Sequence, residues 1–201
     1  MKNKKLLLII ISVVILIIIL ILAYNLLKNG NTKINKTEED IVQSILNINS
    51  YEAKLEIEIE TNKNKTRYVV KQKLENGNIS TQEVLEPTNV AGVVTQYDGT
   101  NLKIINNSLN LEKTFENYNY IVENRLWLDS FIEDYKKYNN SKVSSKENQI
   151  ILEVKDEDSN KYNVYKKLYI DKNTGKPTKM LVQDINQKTL VYILYTEIEI
   201  S

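Results

Sequence analysis

The chain reads as an α+β protein: an N-terminal transmembrane helix followed by a curved antiparallel half-open β-barrel packed on helices. Three observations predict this. Leu6 to Tyr24 is apolar at every position but Ser12. From Tyr51 the hydropathy period drops to two and holds through most of the remaining chain, the mark of strands with one dry and one wet face. Two segments keep a helical period instead.

The apolar run comes first. At about 1.5 Å per residue a helix over 6–27 is about 33 Å long, enough for a hydrocarbon core of roughly 30 Å. Lys2, Lys4 and Lys5 precede it, and Lys28 alone follows before polar residues. The positive-inside bias then makes residues 1–5 the cytoplasmic N-terminus, 6–27 the transmembrane helix, 28–36 a linker and 37–201 an extracytoplasmic domain. A cleaved signal peptide fits less well. Its apolar region runs about 7–15 residues and ends at small residues, whereas Ala23-Tyr24-Asn25 offers no such site. A lipoprotein cleavage box needs a cysteine, and the chain has none.

After the linker, Thr37 with Glu38, Glu39 and Asp40 reads as a hydroxyl cap followed by acids at the positive end of a helix dipole. Ile41, Ile45 and Ile48 continue it at helical spacing. Tyr51, Ala53, Leu55, Ile57 and Ile59 then alternate with Glu52, Lys54, Glu56, Glu58 and Glu60, a strand with one apolar and one charged face. Thr66–Leu74 is a second strand, with Tyr68, Val70 and Leu74 on one face. Asn76-Gly77-Asn78 turns the chain into a third, from about Ile79 to Leu85. Two short strands follow, Val93–Tyr97 and Leu102–Ile105. From Asn124, a plausible cap, to about Tyr138 the helical period returns, and Leu128, Phe131, Ile132 and Tyr135 form one stripe. The predicted closing strands are Lys142–Ser145, Gln149–Lys155, Tyr162–Ile170, Thr178–Asp184 and Thr189–Ile200.

Composition excludes whole classes of chemistry. With no histidine and no cysteine, the usual zinc sites and the Ser-His-Asp and Cys-His mechanisms are absent. Stability must come from packing, since no disulfide can form. Formal charge is +1, from 27 basic and 26 acidic residues. Setting aside the lysines that flank the apolar run leaves a faintly acidic domain, with no electrostatic case for nucleic acid. Carboxylate chemistry stays open, yet its sources have plainer readings. Glu52, Glu56, Glu58 and Glu60 alternate with apolar residues as a wet sheet face does. Asp156-Glu157-Asp158 lacks the spacing of a calcium loop and reads as a solvated hairpin turn. No catalytic, cofactor or metal residue is assigned. Thirteen tyrosines against two phenylalanines suit a curved sheet and a binding surface alike. Tyr118, Tyr120 and Trp127, with Phe131 one turn on, are the candidates for a partner or lipid contact. The competing reading is ordinary packing of a helix on the sheet.

Several strings resemble a known family. Glu86-Pro87-Thr88-Asn89-Val90-Ala91-Gly92-Val93, then Tyr97-Asp98-Gly99 and Leu102, is similar to a segment of the germination lipoprotein GerS-related family. So are Leu109-Asn110-Leu111 with Glu116-Asn117-Tyr118, and Leu168-Tyr169-Ile170-Asp171 with Thr174-Gly175-Lys176-Pro177 and Met180. These relatives have the LolA/LolB-like fold, an incomplete antiparallel barrel wrapped on helices, and the resemblance covers about residues 40–200. It implies a non-enzymatic protein of sporulation or spore germination. Its partner would be a cell-envelope protein, a zinc N-acetylmuramoyl-L-alanine amidase of the cortex peptidoglycan, which it licenses to act. The family's lipidated cysteine is replaced here by the membrane helix. The alternative is a lipid- or lipoprotein-binding module that uses the concave apolar face of the barrel.

Overall fold

The computed structural model describes residues 36–61, 63–118, 126–157 and 164–201. Residues 1–5, the expected transmembrane helix 6–27 and all of the expected linker but Lys36 lie outside the described residues, as do Tyr120, Asn124, Asp158 and Tyr162. Among the described residues no helix is long and apolar enough to cross a membrane.

Helix α1 (Glu38–Leu46) starts at Thr37, as its sequence predicts. The Thr37 hydroxyl oxygen accepts the Asp40 N–H at 3.1 Å, and the Asp40 carboxylate accepts the Thr37 N–H at 3.0 Å. This reciprocal box satisfies two amides that the helix cannot. Ile41, Val42 and Ile45 face the core. Glu38 ties the helix start to two elements, pairing with Lys172 at 2.7 Å and accepting from Ser145.

The strands are β1 (Tyr51–Glu60), β2 (Lys65–Glu75), β3 (Ile79–Glu86), β4 (Val93–Tyr97), β5 (Leu102–Asn106) and β6 (Leu111–Phe115). Helix α2 (Leu128–Lys137) intervenes, and then come β7 (Lys142–Lys146), β8 (Gln149–Lys155), β9 (Tyr165–Asp171), β10 (Pro177–Gln183) and β11 (Thr189–Ile200). They form one eleven-stranded antiparallel sheet in the order β6-β5-β4-β3-β2-β1-β11-β10-β9-β8-β7. Two meanders thus join at the β1–β11 pair, while β6 and β7 end the sheet without meeting. Asn76 and Gly77 both take positive φ in the β2–β3 turn, a conformation that asparagine and glycine tolerate best.

The structure corrects the reading in four places. Strand β6, preceded by a short 3₁₀ turn at Asn107–Leu109, was not foreseen; its Leu-Glu-Lys-Thr-Phe alternation is brief and carries a lysine on the apolar side. Helix α2 starts after Trp127, not Asn124, because Trp127 is drawn into the core. Strand β9 begins at Tyr165, three residues later than expected. Asp156, expected in a solvated turn, is buried and accepts the Tyr138 hydroxyl at 2.8 Å.

Both helices lie on one face of the sheet. Leu128, Phe131 and Ile132 of α2 join Tyr51, Leu55 and Ile57 of β1, Val70 and Leu74 of β2, and the inward rows of β8 to β11 in a single core. Fully burying each such side chain contributes about 1.5–3 kcal/mol. On β9 one inward position breaks the apolar pattern. Lys166 shares a face with Leu168 and Ile170, is wholly buried, and pairs with Asp134 of α2, with Ser130 Oγ 3.4 Å away. A buried ion pair stabilises little on balance, but breaking one side of it is costly. Asp134→Ala should therefore destabilise the fold by about 3–5 kcal/mol in urea unfolding, while Asp134→Leu with Lys166→Met leaves it as stable as the natural chain or more so. A double variant as weak as the single one would contradict this account.

Candidate functional site

The candidate aromatic residues divide between core and surface. Phe131 is fully buried and stacks on Tyr135 with ring centroids 6.0 Å apart. Trp127 is 3% exposed, and its indole N–H donates to Gln82 Oε1 at 2.9 Å. Both rings are therefore taken up in packing α2 onto the sheet. Tyr118 is half-buried beside Phe115, its ring 6.1 Å away and tilted, and its N–H donates to Thr100 O at 2.7 Å.

Around Trp127 lies a polar network that the pattern analysis missed. Gln72 is buried between Val70 and Leu74, and its amide donates to Gln82 Oε1 at 2.8 Å. The Tyr51 hydroxyl sits 3.4 Å from both Gln72 Oε1 and Asp129 Oδ1. Ser80, also buried, donates to Asp129 Oδ2 at 2.5 Å. The signal was available: Gln72 and Ser80 are polar residues standing at inward strand positions, where a buried polar group needs a partner.

Asp129 is the centre of this network. Burial pushes its carboxyl above the usual range, against the Ser80 hydroxyl, the first-turn N–H groups of Asp129 and Ser130, and Tyr51, all of which favour the charge. Burial, and next the nearby Asp129, lifts the Tyr195 phenol well above its ordinary value. The Tyr195 hydroxyl is buried and has no hydrogen-bond partner among the described residues. One turn along, Glu133 is also shifted upward, by burial and then by Asp129 and Asp134. The two acids border a crevice of about 350 Å³ with Asn47, Asn49, Gly77 and Lys136. Asp129 is turned to the sheet, and the groups that touch it are hydroxyls and amides.

The β1 glutamates are engaged elsewhere. On the outer face Glu52 pairs with Lys71 at 2.8 Å, Glu56 with Arg67 at 2.9 Å, Glu58 with Lys65 at 2.7 Å and Glu60 with Lys188 at 2.9 Å. Such exposed pairs stabilise little, but they leave this strip nearly neutral. At its edge Thr196 bulges out of β11, because Lys54 pairs with Glu197 while Leu55 pairs with Tyr195. A groove of about 690 Å³ opens there, with Lys54, Leu85, Pro177 and Glu197 among its walls.

The comparisons with known proteins agree with this geometry. A family model described as sporulation protein YdcC-like matches residues 3–201. The chain belongs to the YdcC-like sporulation family. Among solved structures, this YdcC-like chain resembles one in the complex of the CwlD amidase from Clostridioides difficile with the GerS lipoprotein. Identity is 25%, over 82% of this chain and 96% of that one, with a TM-score of 0.54. An uncharacterized conserved protein from Thermus thermophilus shares the fold at 11% identity, over 83% and 88% of the two chains, with a TM-score of 0.53. A LolA superfamily protein from Nitrosomonas europaea aligns at 12% identity over 83% and 94%, with a TM-score of 0.45. No curated protein sequence matches the chain. The sheet is left open, and the resemblance to GerS-related proteins noted in the sequence holds in the structure.

Asp129 gives this network a measurable sign. Its folded pKa lies above the unfolded value of 3.8, so its contribution is fully present below that pH and is lost as pH rises through the folded value. The natural chain should therefore lose stability relative to Asp129→Asn as pH climbs from about 4 toward neutrality. Urea midpoints of both proteins across that range check this, and a difference that does not vary with pH would contradict it.

Proposed function

We propose that this YdcC-like protein is held at the cytoplasmic membrane by its N-terminal helix, with the folded domain outside. There it binds a cell-envelope enzyme during sporulation or germination and regulates it without chemistry of its own. The partner is a zinc N-acetylmuramoyl-L-alanine amidase acting on cortex peptidoglycan. The observation that carries this reading is the likeness to the amidase–GerS complex, which spans 96% of the matched chain. The sporulation family points the same way.

The packed interior favours a protein partner over a lipid. Where α2 meets β1, β2 and β8 to β11, Leu128, Phe131, Leu55, Leu152, Leu168 and Ile193 fill the space that a lipid chain would need. Binding would act by differential contact: a surface that grips the enzyme's active state more tightly than its inactive state shifts the population toward activity. A tenfold shift takes about 1.4 kcal/mol. Tagged full-length protein from sporulating cells should bring down the amidase, and adding the purified chain should raise that enzyme's cleavage of cortex peptidoglycan. Recovery of lipid alone, or amidase activity that ignores the added chain, would contradict the reading.

A further inference from the structure

We propose that the free edge of β6 is where the partner docks, by adding an extended segment that carries an acidic residue between two apolar ones. The proposal rests on the partner-binding reading above and names its surface. All five residues of β6 are exposed. Leu111 is 50% and Phe115 40% exposed, and Leu109 just before the strand is 71% exposed. Half of the large exposed hydrophobic side chains among the described residues thus fall within seven positions. The strand pairs with β5 on one side and, among the described residues, ends the sheet on the other. An edge of this kind presents unused backbone N–H and C=O groups to any extended chain that can meet its side chains.

The register shows which side chains those are. Leu74, Ser80, Tyr97, Leu102 and Phe115 stand opposite one another across β2 to β6, so Phe115 is the open end of a row that begins in the core. Leu111 and Lys113 share its face. Lys113 Nζ lies 5.8 Å from the centre of the Phe115 ring and has no carboxylate partner among the described residues, whereas neighbouring Lys103 pairs with Glu112 at 2.8 Å. The edge therefore offers apolar, cationic and apolar groups at every second residue. Its complement is a strand with apolar, acidic and apolar groups at the same spacing.

A second copy of this chain fits the edge poorly. Two-fold pairing of β6 with itself sets residues of one face opposite each other. Centred on Lys113 it opposes two lysines, and centred on Glu112 it opposes two glutamates. Centred on Thr114, it sets Glu112 against Glu116. Like charges directly opposite are destabilising.

The test measures binding of the purified full-length chain, in detergent micelles, to the CwlD-type amidase of the same organism, with hydrogen exchange read on the complex. Leu111→Arg and Lys113→Glu should each weaken binding at least tenfold while keeping the natural melting temperature, and Val143→Arg on β7 should not. The amides of 111–115 should gain protection in the complex. Amidase binding that is unchanged in both β6 variants, with no protection at 111–115, overturns the docking site and leaves the partner reading standing. No amidase binding by the natural chain overturns both. A natural chain that dimerises, and that Leu111→Arg makes monomeric, assigns the edge to a second copy and overturns the proposal.

Discussion

The seat of α2 on the apolar face of the sheet is the contact on which the rest of the fold depends. A sheet that stops at β6 and β7 leaves its apolar face open, so that face must be covered from elsewhere in the chain. Phe131 and Leu128 supply the cover and are fully buried. Apolar packing alone is not directional, however, and a helix could rest at several heights along such a surface. Here polar contacts remove that freedom. Asp129 meets Ser80 on β3 and Tyr51 on β1, Asp134 meets Lys166 on β9, and Tyr138 meets Asp156 after β8. The pins fall on both meanders, so α2 also bridges halves whose strands are otherwise joined only at β1–β11.

This arrangement directs function outward. The interior between α2 and the central strands is occupied by side chains, and Trp127 and Phe131 serve that packing. On the outer face the β1 glutamates are neutralised by Lys71, Arg67, Lys65 and Lys188. Of the large apolar side chains left exposed among the described residues, half sit in or just before β6.

Much of this was legible in the sequence because the signals were local. The Thr37 cap, the strict alternation of β1, the Asn76-Gly77 turn and the Leu128–Phe131–Ile132 stripe each depend on a few neighbouring residues, and each appears in the structure. The misses are tertiary. Lys166 and Gln72 occupy inward positions where period-two reading predicts apolar side chains, and only the approach of α2 and β3 explains why they are tolerated. Trp127 sets the start of α2 through a bond to Gln82, forty-five residues away, which no cap rule can see. Strand β6 escaped because its inward row holds Lys113, and the same lysine now marks that edge as distinct.

The central claim is that α2 is an integral part of the sheet's core and not a lid over a vacant hollow. Native-state hydrogen exchange on the full-length chain tests it most directly. The account predicts that the amides of 131–137 exchange as slowly as those of β1 and β11, through the same global opening. Fast, independent exchange of α2 while the central strands stay protected would contradict it.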